Sequence, residues 1–122
     1  MNGTEQITEE ALNQFTGTAS YVRHWSKRLV MTDGAVFLTE HGAAWLLDAM
    51  ASYQPQLRHI GFQLWTLAVA DDHTAVLTCR EDQGTPAMVT QRMEYTDCPI
   101  SLKLYVIDGG DVGFVAMVPT EY

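Results

Sequence analysis

The chain predicts an α+β fold in which N-terminal helices pack on one antiparallel meander sheet of four to five strands, making two layers. Three observations carry that expectation. From Phe62 onward the sequence alternates apolar and polar residues in five β-rich runs, "FQLWTLAVA", "TAVLTCR", "AMVTQRMEY", "SLKLYVI" and "VGFVAMV". The segments between them, "DDH", "EDQGTP", "TDCP" and "DGGD", suit hairpins and are too short for parallel crossovers. Before Phe62 the apolar spacing is helical, so the helices supply the cover that one sheet face needs. At 122 residues there is room for one domain, with residues 1–61 mainly helical with short extended pieces and 62–122 the sheet.

The first helix is expected in "ITEEALNQFTG". Thr8 can cap it, Glu9 and Glu10 favour the positive end of its dipole, and Gly17 marks a stop, with Ile7, Leu12 and Phe15 turned inward. "SYVRHW" and "RLVM" read as brief extended pieces around a basic cluster, "RHWSKR", in which Trp25 sits among Arg23, Lys27 and Arg28. Charge and stacking of that kind can grip a nucleic-acid strand, but a solvated loop or strand end is the plainer reading of six residues. "TDG", residues 32–34, is turn chemistry, after which Ala35 to Leu38 lead into the main helix. In the sheet, Ala75, Leu77, Cys79, Ala87, Val89, Met93, Leu102, Leu104 and Val106 are expected on the covered face.

Asp33, Glu40, His41 and Asp48 are the ionisable residues of the main helical segment. At about 100° per residue, Ala43, Leu46, Leu47, Met50 and Tyr53 form a core stripe, with His41, Asp48 and Ser52 on the opposite side. His41 and Asp48 share that side but lie about 10 Å apart along the axis, too far to hold one proton or metal between them. Zinc ligands spaced four apart are missing, because positions 37 and 45 around His41 are Phe and Trp. Trp45 falls beside His41 on the polar side, where it is either buried under a neighbouring element or exposed as a contact residue.

Composition narrows the function classes. Hydrophobic residues at 47% and charged residues at 18% describe a folded chain, and no apolar run approaches the roughly 20 residues of a membrane span. The polar, acidic N-terminus lacks a secretory pattern, so a cytoplasmic location is expected. Cys79 and Cys98 read as free thiols. Seven basic residues against fifteen acidic ones give a net charge of −8, which speaks against direct nucleic-acid or membrane binding and for a protein partner with a basic surface. A meander places Asp71, Asp72 and Asp97 at one end of the sheet and Glu81, Asp82, Asp108 and Asp111 at the other, giving acidic rims to steer such a partner.

No nucleophile elbow, phosphate loop or paired-histidine spacing is present, so neither catalytic, cofactor nor metal residues are assigned. The pieces "TDG", "WLLDAMASYQ", "FQLW", "ED-G" (Glu81, Asp82 and Gly84), "YTDCPI" and "PTEY" together resemble a family of small bacterial proteins known only as a domain of unknown function. The resemblance runs from about Thr8 to Tyr122 and implies one compact domain in a cytoplasmic, phage or plasmid setting. The family tends to an aromatic residue at the position of Cys98, which gives that cysteine no catalytic role, and the resemblance brings no active site.

The leading expectation is therefore a non-enzymatic interaction module using Trp45, His41, Asp48, Asp71, Asp72 and Asp97. Two alternatives stay open: a ligand-binding or enzymatic cone lined by Trp65, Tyr95, Tyr105 and Asp48 or Asp97, and a homo-oligomer joined along the Trp45 stripe.

Overall fold

The computed structural model describes residues 6–17 and 20–122. Elements follow in the order α1 (Glu9–Asn13), β1 (Val22–Arg23), β2 (Val30–Met31), α2 (Asp33–Leu38), α3 (Ala44–Ser52), α4 (Gln54–Leu57), β3 (Phe62–Val69), β4 (Ala75–Arg80), β5 (Val89–Met93), β6 (Leu102–Asp108) and β7 (Phe114–Met117). The class is α+β as expected, but the helices interleave with strands instead of preceding the sheet as a block. Thr8 caps α1 by accepting from the Ala11 N–H at 3.0 Å, and Ile7 and Ala11 are buried against the core.

All five runs after Phe62 form strands, yet the sheet has seven, ordered β1-β2-β7-β6-β3-β4-β5, and it is mixed. The two extended pieces around "RHWSKR" are the extra strands: Val22 and Arg23 pair antiparallel with Met31 and Val30, and β2 runs parallel to β7. The meander is also corrected. β5 does not hand on to an adjacent β6; residues 94–101 cross the end of the sheet so that β6 pairs with β3, leaving the Greek-key order β6-β3-β4-β5. The physical reason lies in β3, whose Leu64, Trp65 and Leu67 are buried from both faces and suit a central position better than an edge.

One face packs on the helices. Leu77, Cys79, Val89, Leu102, Leu104, Val106 and Trp65 meet Leu38, Leu46, Leu47 and Met50 in the main core. Of the expected core positions, Ala87 is exposed, because it precedes β5. The other face carries a smaller cluster of Val30, Val115 and Met117 with Tyr105 and Ile107.

The expected continuous helix is broken. Residues 39–43 wind wider than an α-helix, and His41 (φ −118°, ψ 27°) and Gly42 (φ +102°) leave helical geometry altogether. A positive φ of that size favours glycine, and this is what redirects the chain between α2 and α3. The core stripe survives the break, since Ala43, Leu46, Leu47 and Met50 are buried and Tyr53 is half buried.

The start of α2 is held by the last turn of the chain. Thr32 caps the helix through the Ala35 N–H and donates its hydroxyl to Glu121 Oε1 at 2.6 Å, while Glu121 Oε2 accepts from the Gly34 N–H at 3.0 Å. A Cβ on Gly34 would lie 2.6 Å from Glu121 and 2.7 Å from Val118, so this close approach requires glycine. No helix among the described residues is long and apolar enough to cross a membrane.

Candidate functional site

The site is built on the β1–β2 hairpin. His24 N–H donates to the Leu29 carbonyl and Lys27 N–H to the His24 carbonyl, and Lys27 takes φ +66° to close the turn. These bonds turn the His24 ring inward, where it is 3% exposed, and leave Trp25 outside at 77%. Asp48, on α3, reaches across to the hairpin. Its Oδ1 accepts from His24 Nε2 and from Trp25 Nε1, each at 2.8 Å.

The bonding fixes the histidine tautomer. Nδ1 accepts from the Ser26 N–H at 3.1 Å and from the Ser26 hydroxyl at 2.8 Å, so the neutral ring carries its proton on Nε2, facing the carboxylate. The two rings lie with centroids 5.3 Å apart and planes inclined by 35°. The outcome is an exposed indole held by a hydrogen bond on one side and a histidine on the other, with Arg23, Lys27 and Arg28 exposed around it.

Asp48, His24 and Ser26 make contact in the order of a hydrolytic triad. The surroundings are those of a turn staple instead. The Ser26 hydroxyl is also bonded by the Arg28 N–H, Nδ1 is shared with the Ser26 N–H, and the imidazole is buried. A cleft of about 350 Å³ lies elsewhere, between α1, the start of β6 and the C-terminal turn, lined in part by Leu12, Thr66, Ile100, Lys103 and Thr120.

The residues singled out from the sequence do not converge. Trp45 is half buried and packs against the main core. His41 donates Nδ1–H to the Phe37 carbonyl at 2.7 Å and stacks on Phe37, with ring centroids 4.0 Å apart, so it belongs to the helix break and not to a face shared with Asp48. Only Asp48 joins the hairpin site. Asp71, Asp72 and Asp97 are exposed at the end of the sheet where the crossing segment meets the β3–β4 turn through the Thr96 N–H and the His73 carbonyl, 2.7 Å apart. Strand direction puts the Trp25 hairpin at the opposite end. Hydrogen bonds from Thr74 hold the Asp72 carboxyl below its ordinary value.

Nor do the cone residues share a cavity. Trp65 is fully buried on the covered face, Tyr105 sits on the other face, and Tyr95 and Asp97 are exposed. Trp65 Nε1 donates to Gln63 Oε1 at 2.9 Å, and Gln63 exchanges two amide hydrogen bonds with Gln54 at 3.0 Å each. Both cysteines are free and buried, and burial pushes the Cys79 thiol up to about 12. Among the described residues no three His, Cys, Asp or Glu side chains gather as a metal site.

Sequence reasoning noticed "RHWSKR" but gave the contact role to Trp45. The available signal was Trp25 itself, lying among cations in a turn where no helix could bury it. Neither the curated proteins nor the solved structures provide a match to the chain. A family model does match it over residues 6–122, nearly its whole length: the chain belongs to the family of unknown function DUF6876.

Proposed function

We propose that this protein is a non-enzymatic interaction module that seats a protein partner on the Trp25 hairpin. The observation that carries this reading is an indole 77% exposed yet fixed through its N–H to Asp48. A tryptophan held in place loses little freedom on binding, and such residues dominate interface energies. Asp48 and His24 are positioning residues in this scheme, while Trp45 and His41 support the helices behind. The net charge of −8 favours approach of a partner with a basic surface, which Asp71, Asp72 and Asp97 attract from the far end by a force that weakens with salt. The contact at Trp25 itself, ringed by Arg23, Lys27 and Arg28, is apolar. Two buried free thiols are in keeping with a reducing, cytoplasmic setting, and the family resemblance with an accessory or inhibitor of phage or plasmid origin.

The test is affinity capture at low and high salt with wild-type protein, Trp25→Ala, Trp45→Ala and the triple Asp71, Asp72 and Asp97 to Asn variant. Loss of one specific protein with Trp25→Ala, together with weaker low-salt capture by the triple variant, is expected. Retention of the same partner by Trp25→Ala overturns the assignment to the hairpin.

A further inference from the structure

The summed charge hides a sorting by face. Strand register places Arg80, Leu64, Tyr105 and Met117 in one cross-strand row on the face opposite the main core, and Thr90, Thr78, Thr66 and Lys103 in the next, with Thr66 and Lys103 also bordering the cleft beside Glu9 and Leu12 of α1. Arg92 pairs with Val76 beyond them, and Arg23 pairs with Val30 at the far edge of the same face. Four of the seven basic residues therefore belong to this one face, Arg80 half buried with its guanidinium donating to the Thr85 carbonyl and the Thr78 hydroxyl. The carboxylate within the strands, Asp108, ends β6 opposite Phe114, in the register of the covered face. Arg92 and Lys103 are exposed and make no ion pair among the described residues.

Aromatic surface accompanies these cations. Phe62, Tyr105 and Tyr122 cluster with centroids 5.1 to 5.6 Å apart, and Tyr122 is 72% exposed. Tyr105 stands two residues from Lys103 on the same strand face and two strands from Arg80, roughly 10 Å away. Cations interleaved with ring faces and threonine hydroxyls suit an occupant carrying both phosphates and flat bases. Self-association through this face would set like charges against one another.

We infer that the sheet face opposite the main core, through Arg80, Arg92, Lys103, Tyr105 and Tyr122, binds single-stranded nucleic acid. The phosphates lie along the cations of β4, β5 and β6, and a base stacks at Tyr122. The contact is sequence-tolerant, since strand-face cations and rings read charge and stacking rather than base edges. None of these five residues belongs to the Trp25 hairpin, whose Arg23 reaches only the far edge of the same face.

Fluorescence anisotropy with a labelled oligothymidylate of about 12 nucleotides tests this. Between about 50 and 200 mM salt, affinity should fall about 20-fold for three phosphate contacts and about 50-fold for four. The Arg92→Gln/Lys103→Gln double variant, whose side chains are exposed, should flatten the logarithmic salt slope by about 1.4. Tyr122→Ala should weaken binding about fivefold or more. Circular dichroism of each variant checks that the fold is retained. Absence of binding at the lower salt, unchanged binding by both variants, tighter binding of a duplex of the same length, or equal competition by an oligoglutamate peptide would each overturn the inference. The last outcome would give the face to an acidic protein.

Discussion

Trp65 and Trp25 make the same kind of hydrogen bond to opposite ends. Each donates its indole N–H to a side-chain oxygen, Gln63 Oε1 at 2.9 Å in one case and Asp48 Oδ1 at 2.8 Å in the other. Around Trp65 the acceptor is itself buried and bonded to Gln54, so the bond offsets the cost of taking a polar group out of water and ties α4 to the centre of the sheet. Around Trp25 the ring remains in solvent, and the bond does nothing for a core. What it fixes is direction. Buried polar pairing here secures the fold, whereas exposed polar pairing prepares a surface.

That contrast is sharpest for Gln63. Gln63→Leu leaves the Trp65 N–H and the Gln54 side-chain carbonyl unpartnered in the core, while the Gln54 amide keeps the Met50 carbonyl, and urea unfolding should show a loss of about 3 kcal/mol. A comparable loss on Asp48→Ala would erase the distinction. On the covered face, the Cys79 thiol ordinarily titrates at 9.0 but is held up to about 12 by burial. Above pH 9 the unfolded chain releases this proton while the folded chain keeps it, so stability falls as pH rises through that window, by about 1 kcal/mol per pH unit. Cys79→Ala should remove that part of the alkaline slope, measured as the denaturation midpoint between pH 9 and 10.

At the hairpin the stability effects are smaller. Asp48→Ala should cost about 1 kcal/mol or less, because the carboxylate is 47% exposed and water competes for its partners, while Trp25 fluorescence anisotropy should fall as the ring is freed. Trp25→Ala should change stability by no more than about 0.5 kcal/mol and show its effect in binding alone. A cooperative unfolding loss from Trp25→Ala would place the residue with Trp65 after all.

The same contrast decides what could be read from the sequence. Ala75, Leu77 and Cys79 alternate cleanly because one side of β4 is covered, and the cap at Thr8 follows from local chemistry. Both were legible. The break at Gly42 was signalled by a glycine within a helical pattern, but a helical wheel drawn through it carried His41 onto the wrong surface. The place of β6 beside β3 was hidden, because the short turn "TDCP" disguised a connection that spans residues 94–101. The bond between Asp48 and His24 joins positions far apart in sequence, and nothing in either local pattern names the other. Tertiary pairing of that kind produced the candidate site, so composition found its ingredients and missed their assembly.

The parallel pairing of β2 with β7 sets an order in time. Beyond Arg23 in its own hairpin, Val30 finds its other partner in Val115, and a hairpin of two-residue strands has little stability of its own. During synthesis, β1 and β2 therefore wait for nearly the whole chain to emerge, and this long-range closure belongs to the slow part of folding. The indole of Trp25 reaches its fixed pose only when that wait is over. A partner that requires the pose would thus meet finished molecules and pass over nascent ones, making the hairpin a sign of completed folding as well as a place of contact.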